Sequence, residues 1–327
     1  KYMGDIVEGA LISEYYKETT DHDVIFVGDC EVYENFSPIT MWEDYGITSY
    51  IRGSAQQLIW QSYYLLEETL EYEKPEVVVF NVLSMKYDTP QKEAYIRMTL
   101  DGMKWSKSKV DDIRASMMED EEFADYVFPI LRYHSRWQEL TSDDFKYLFT
   151  RRPVSQSGYY MRIDVKPAQT FPTPKKLANY EFGENSWKYL EKMRKLCEEK
   201  GIQLILVKAP SLYPAWYDEW EDQIEEYAKT YELPYYNFLE LTDEVGIDFT
   251  KDTYDGGLHL NLSGAEKMGA YFGKILREEF QVPDRRNDEK IASVWAEKCA
   301  AYYDMEKRQQ EELDTYGYLK MFNSDKE

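Results

Sequence analysis

Four short apolar runs, separated by segments of helical periodicity, constrain the fold of this chain most strongly. Short runs of this kind, bounded by turn residues, are typical of buried strands. The runs are Val24–Val27, Val77–Val82, Gln203–Val207 and roughly Tyr235–Leu239. The helical segments are Gln56–Tyr72, Asn185–Lys200, Tyr217–Tyr231 and Ser263–Phe280. This alternation predicts a parallel sheet with helices on both faces, that is, a three-layer α/β/α domain.

The segment between about residues 90 and 180 interrupts this alternation. It begins with helical patterns over Glu93–Trp105 and Ser106–Met118 and continues into aromatic-rich and loop-like sequence. We interpret it as an insertion that caps or walls a site, and a plain helical elaboration of the core is the alternative. Beyond Pro283 the pattern is helical and highly charged. We therefore divide the chain into an α/β domain over residues 1–282 and a C-terminal helical extension over residues 283–327.

The charge of the chain argues against two classes of partner. Its formal net charge is −23, from 62 acidic and 39 basic residues. Nucleic acids and anionic lipid surfaces are bound by clustered Lys and Arg, so we expect neither nucleic acid nor an electrostatic attachment to lipid. The 30 Tyr and 8 Trp residues are of the kind that lines pockets and carbohydrate-binding surfaces, although core packing is the simpler explanation for any one of them.

Cys30 is the candidate nucleophile. It follows Val24-Ile-Phe-Val-Gly-Asp, so it lies just after the first predicted strand, at the edge where open α/β sheets carry out their chemistry. A small buried hydrophobic residue is the alternative. The other two cysteines are Cys197 and Cys299, and the spacing of the three shows neither a metal signature nor a disulfide framework. We therefore expect no metal site.

His259 is the candidate base among three histidines. A Gly-Gly pair lies just before it, and Asn261 or Ser263 then caps a predicted helix, so the imidazole lies in a loop beside a helix N-terminus. His22 lies between acidic residues and is predicted to be at the surface. His134 lies in the insertion, where a structural role is favoured over contact with a substrate.

Further candidate residues lie before a predicted helix or at the ends of predicted strands. Gly53 precedes a predicted helix and offers an unhindered N–H group, and Asn81 ends the second apolar run. Both are candidate oxyanion donors, with ordinary turn or capping roles as the alternative. Lys208, Ser211 and Tyr213 follow the third predicted strand. We expect Lys208 to bind an anionic group of a substrate and the other two to contact it, unless they form only a turn.

The order of these residues resembles that of the SGNH (GDSL-type) hydrolase superfamily, whose four blocks carry a Ser, a Gly, an Asn and an Asp/His pair. The resemblance covers about Asp23–Leu276. It is closest to the membrane-associated SGNH-like proteins of Gram-positive bacteria, relatives of cell-envelope acyltransferases. Two stretches carry this likeness, Val-Ile-Phe-Val-Gly-Asp-Cys-Glu-Val-Tyr and Gly-Leu-His-Leu-Asn-Leu-Ser-Gly-Ala-Glu-Lys.

The resemblance implies a flavodoxin-like α/β/α fold and assigns a role to each block. Cys30 matches the nucleophile and His259 the base. The oxyanion hole is matched by the N–H groups of Cys30 and Gly53 together with the Asn81 side chain. Because Cys replaces the Ser of the family, the resemblance implies the fold more firmly than it implies hydrolysis.

The carboxylate that orients the histidine also departs from the family pattern. The family Asp usually lies three residues before the His, where this chain has Gly256. Asp255 lies four residues before His259 and is the expected partner, with Asp252 as the alternative.

The implied function is that of an esterase or O-acyltransferase acting on a cell-envelope glycan or polymer, without a cofactor. The alternative is a non-catalytic glycan-binding or envelope-assembly protein on the same scaffold. A thiol redox protein is disfavoured because the chain has no Cys-x-x-Cys motif. Since the sequence begins at Lys1 rather than Met, we also expect an upstream anchoring segment and a location at the extracellular face of the cell membrane.

Overall fold

A computed structural model describes residues 10–128, 153–170 and 173–322 of the chain. Its centre is one five-stranded parallel sheet with the strand order β2-β1-β3-β4-β5. The strands are β1 (Val24–Gly28), β2 (Ser49–Gly53), β3 (Val77–Asn81), β4 (Gln203–Lys208) and β5 (Tyr235–Asn237). Helices flank the sheet, which confirms the predicted three-layer α/β/α domain.

Twelve α-helices are found in the described part of the chain. They are α1 (Leu11–Glu14), α2 (Cys30–Tyr33), α3 (Pro38–Tyr45), α4 (Ile59–Tyr72), α5 (Glu93–Leu100), α6 (Lys107–Ser116), α7 (Phe123–Val127), α8 (Glu184–Lys200), α9 (Asp218–Thr230), α10 (Thr242–Val245), α11 (Leu262–Glu278) and α12 (Glu289–Tyr316). Short 3₁₀ helices cover Tyr15–Lys17, Val82–Lys86 and Lys320–Phe322. Within the described ranges, no helix has both the length and the apolar character needed to cross a membrane.

The alternation of side chains along β1 produces two hydrophobic cores, one on each face of the sheet. Val24 and Phe26 point into the core formed with α3, α11 and α12, where Phe26 packs against Phe272. Ile25 and Val27 point into the opposite core, formed with α4, α8 and α9. Because both faces are covered, β1 is buried along its whole length and reads as a continuous apolar run.

Strand β2 was not predicted, because its sequence, Ser-Tyr-Ile-Arg-Gly, carries a charged residue. The Arg52 side chain is nevertheless fully buried. Its guanidinium lies 3.1 Å from the Glu68 carboxylate and donates a 2.8 Å hydrogen bond to the Thr69 hydroxyl, both on α4. The partner that makes Arg52 tolerable in a buried strand is thus remote in sequence, which hid the strand from a local pattern.

His22 is buried, and its predicted surface position is wrong. It is 2% exposed, and its Nδ1 lies 3.1 Å from the Glu73 carboxylate. Its Nε2 lies 3.4 Å from Glu18. The acidic neighbours in sequence suggested a solvated face, but His22 is enclosed between Glu18, four residues before it, and Glu73, just after α4. The three residues lie at the amino edge of the sheet, opposite to Cys30.

Helix α12 packs back onto the α/β body. Asp288 caps its N-terminus by accepting a hydrogen bond from Ile291 N, and Trp295 stacks on Trp42 of α3 with ring centroids 5.1 Å apart. Near its other end, the side chain of Gln309 bonds to the backbone of Met161 and Ile163. The helix therefore fixes the segment over residues 153–170 to the body.

This segment runs along the loop that carries His259. Lys166 N donates to Thr253 O at 2.9 Å, Gly256 N donates to Lys166 O at 3.0 Å, and Leu262 N donates to Arg162 O at 2.7 Å. Part of the segment assigned to the insertion thus pairs with the loop that carries the candidate base. His134, which was also assigned to the insertion, lies outside the described residues.

Candidate active site

Cys30 is the first residue of α2, directly after β1. Asp29 caps the helix by accepting a hydrogen bond from Glu31 N, and Gly28 makes the sharp turn with a φ of +156°. A Cβ at Gly28 would lie 3.2 Å from both Asn81 Cβ and a methyl group of Val32. Only glycine fits this turn without displacing its neighbours, and the turn places Cys30 at the carboxyl edge of the sheet.

The loop before α11 brings Asp255 to His259. Asp255 Oδ2 lies 2.7 Å from His259 Nδ1, and Oδ1 accepts hydrogen bonds from the N–H groups of His259 and Leu258. Gly256 and Gly257 have φ values of +87° and +102°, so the chain turns sharply between the two partners. This turn lets a carboxylate four residues before the histidine reach its ring.

Asp252, the alternative partner, is placed elsewhere. Its carboxylate accepts hydrogen bonds from Asp248 N, from the Ser263 hydroxyl at 2.9 Å and from the Lys267 ammonium at 2.6 Å. These contacts tie the loop to the first two turns of α11. Asp252 thus supports the loop and does not contact the imidazole.

The Cys30 thiol and the imidazole of His259 interact, and each shifts the pKa of the other towards the ion pair. Since Asp255 occupies Nδ1, the buried Nε2 is the nitrogen left for the thiol, and it has no other hydrogen-bond partner within the described ranges. Burial raises the pKa of Cys30, and His259 only partly opposes this effect. Burial alone would lower the pKa of His259, but Glu34, Cys30 and Asp255 raise it well above its usual value.

A second carboxylate next to the imidazole was missed from sequence. Glu34 follows α2, one helical turn after Cys30, and its Oε2 lies 3.5 Å from His259 Nδ1. The Tyr254 hydroxyl donates a hydrogen bond to Glu34, and the Tyr254 ring stacks on the imidazole at a centroid distance of 5.9 Å. The spacing of Cys30 and Glu34 was the only local signal for this contact.

Asn81 does lie beside the nucleophile turn, but its side chain is engaged. Its Nδ2 donates to Asp29 at 3.2 Å and to Glu31 at 2.9 Å, and its Oδ1 accepts from Ala209 N. Burial, followed by the charge of Glu31, raises the pKa of Asp29 to about 6. For Asn81 to act as the predicted oxyanion donor, its Nδ2 would have to give up one of these two carboxylates and donate to the substrate oxygen instead.

Lys208 is fully buried and pairs with Glu31 rather than facing a substrate channel. Its ammonium lies 3.0 and 3.1 Å from the two carboxylate oxygens of Glu31 and 2.6 Å from Ala209 O. These three acceptors match its three N–H donors. Lys208 thus holds Glu31, the residue after Cys30, and supports α2.

The remaining predicted residues lie around the same edge. Gly53 ends β2, where Val32 and Tyr33 pack closely over its Cα, so it fits the start of α2 against the sheet. Ser211 is buried and accepts a hydrogen bond from Asn35 Nδ2 at 3.3 Å. Tyr213 is 51% exposed and is free to contact a substrate.

Two further residues were missed from sequence. Burial, with the charges of Asp29, Cys30 and Tyr213, raises the pKa of Tyr87 to about 12, so a half-buried aromatic ring lies near the thiol. Asn35 joins the two loops of the site, since it donates to Ser211 and accepts from Leu260 N at 2.8 Å. The described residues contain no group of three or more His, Cys, Asp or Glu that could hold a metal ion.

A scan against protein-family models gives no match, and a search of curated proteins finds no relative. The structure shows an α/β domain with a five-stranded parallel sheet, which is compatible with an SGNH-like fold. Its chemistry has to be inferred from the site itself.

Proposed function

We propose that the chain is a divergent SGNH-like enzyme that removes or transfers acyl groups through Cys30, His259 and Asp255. The observation that carries this proposal is the 2.7 Å contact between Asp255 and His259 Nδ1, which leaves the buried Nε2 for the Cys30 thiol. A nucleophile, a base and an orienting carboxylate in this sequence of contacts are the signature of nucleophilic catalysis.

The chemistry would proceed in two steps. In the first, His259 Nε2 takes the thiol proton while Cys30 Sγ attacks the ester carbonyl, and the alcohol leaves with that proton, so the acyl group remains on sulfur as a thioester. In the second, water or an acceptor hydroxyl gives its proton to His259 and attacks the thioester. The thiolate leaves and regains the proton, and the product is a free acid or a new ester.

The substrate class we propose is an O-acylated carbohydrate of the cell envelope. Tyr87 lies near the thiol and Tyr213 is exposed at the same edge of the sheet, and aromatic rings of this kind can pack against a sugar. The net charge of −23 disfavours a strongly anionic polymer. The envelope location is what the family resemblance implies.

Replacing Cys30 with Ala should reduce ester cleavage to the background rate, because no other thiol lies at the site. The assay would follow p-nitrophenyl acetate and an acetylated oligosaccharide, with intact-protein mass spectrometry to detect the acyl thioester on Cys30. Cys299→Ala is the matched control, since Cys299 is partly buried on α12 and its loss should leave the rate unchanged. Equal turnover by Cys30→Ala and the parent would show that Cys30 is not the nucleophile.

A non-catalytic glycan-binding role is the second candidate. It is favoured by the raised pKa of Cys30 and by the engagement of Asn81 with two carboxylates. The same assay separates the two proposals. Binding of the oligosaccharide by both parent and Cys30→Ala, without turnover or an acyl adduct in the parent, would favour the binding role.

A further inference from the structure

Two carboxylates, rather than one, face the same nitrogen of His259. Asp255 comes from the loop before α11, whereas Glu34 comes from the end of α2. Their distances to Nδ1 are 2.7 Å for Asp255 and 3.5 Å for Glu34. The Glu34 side chain is only 4% exposed, so water screens this charge weakly.

Tyr254 fixes Glu34 in this position. Its hydroxyl donates to Glu34 and lies 3.3 Å from His259 Nδ1, while its ring is nearly parallel to the imidazole, with an interplanar angle of 15°. On its ring lies Arg162, whose guanidinium is 4.1 Å from the ring centroid. The Glu34 carboxylate is therefore held by an aromatic side chain that itself contacts the imidazole and Arg162.

The charges facing the Cys30–His259 pair are mainly negative. Asp29 lies beside the thiol in sequence and Asp255 beside the imidazole in space, and Glu34 adds a third carboxylate. Arg162, which lies over the Tyr254 ring, is a nearby cation, and it forms a 2.8 Å ion pair with Asp164. The site thus has more negative charge than a triad with one carboxylate.

We propose that Glu34, fixed by Tyr254, is a second positioning carboxylate of His259 that keeps the imidazole protonated and Cys30 a neutral thiol at neutral pH. This inference rests on the proposed Cys30–His259 chemistry. At neutral pH and without a substrate, the nucleophile is then an unreactive thiol. It becomes reactive at higher pH, or when a bound substrate offsets the charge of Glu34.

The direction of the effect follows from the two ionisations. The negative charge of Glu34 favours the imidazolium and disfavours the thiolate, so it raises the pKa of both His259 and Cys30. Removing that charge lowers both pKa values. The reactive forms, a neutral imidazole and a thiolate, are then populated at lower pH.

The test is the pH dependence of Cys30 alkylation by iodoacetamide, quantified on the Cys30 peptide by mass spectrometry. For Glu34→Gln, we expect the midpoint of the rate profile to move to lower pH. Glu34→Asp keeps the charge and should shift the midpoint less. Circular dichroism spectra verify that each variant is folded.

Glu73→Gln is the matched control, because Glu73 also contacts a tyrosine and a histidine, Tyr15 and His22, but at the amino edge of the sheet. Its profile should coincide with that of the parent. A folded Glu34→Gln variant with the parental profile would overturn the inference. Alkylation needs no substrate, so a shifted profile in a protein without acyl chemistry would refute the proposed function and leave the role of Glu34 intact.

Discussion

Replacing Asp255 with Asn should lower kcat for ester cleavage by about 10³-fold, with little change in KM. The Asp255 carboxylate accepts from His259 Nδ1 at 2.7 Å and from the His259 backbone N–H at 2.9 Å, so it fixes both the ring and the loop. An amide at this position can present its NH₂ group to Nδ1, which favours the tautomer with the proton on Nε2. That tautomer cannot take the proton of the Cys30 thiol.

The measurement is steady-state hydrolysis of p-nitrophenyl acetate over a range of pH values, so that a shift of the profile is not mistaken for a loss of rate. Asp252→Asn is the control. Asp252 bonds to Ser263 and Lys267, and its loss should lower thermal stability without a comparable fall in kcat. If Asp252→Asn lost activity and Asp255→Asn kept it, the orienting role would belong to Asp252.

Local sequence determined most of the fold, and its failures have a common cause. β1, β3 and β4 were predicted because strands buried on both faces must be apolar throughout. β2 was missed because Arg52 depends on Glu68, and His22 was misplaced because it depends on Glu73. In both cases a compensating carboxylate is distant along the chain.

In the candidate site, too, local patterns revealed some residues and contacts between distant segments hid others. Cys30 and His259 could be selected because a turn after a strand and a loop before a helix are visible as short patterns. Glu34 could not be selected, since its relation to His259 is created only when the end of α2 meets the loop before α11. The sequence placed Lys208 at the edge of the sheet. Its side chain points to Glu31, however, and no local pattern indicated that Glu31 is buried.

Replacing Lys208 with Met should lower the free energy of unfolding by about 3–5 kcal/mol, because it leaves the carboxylate of Glu31 buried without its cation. Asn81 Nδ2 would remain as a hydrogen-bond donor to Glu31, but a neutral amide cannot balance a full charge. Urea denaturation of the parent and the variant measures the difference. Lys86→Met is the matched control, since Lys86 lies at the same edge, after β3, and is only partly buried.

The double variant Glu31→Gln/Lys208→Met decides between a structural and a substrate-binding role for Lys208. Removing both charges abolishes the desolvation penalty of the unpaired carboxylate, so the double variant should recover at least half of the stability lost by Lys208→Met. An anion-binding Lys208 predicts a different result, in which Lys208→Met raises KM for an anionic ester and leaves the urea midpoint unchanged. All three ammonium hydrogens of Lys208 already have acceptors within the protein. We therefore expect Lys208→Met to lower the free energy of unfolding and to leave KM unchanged.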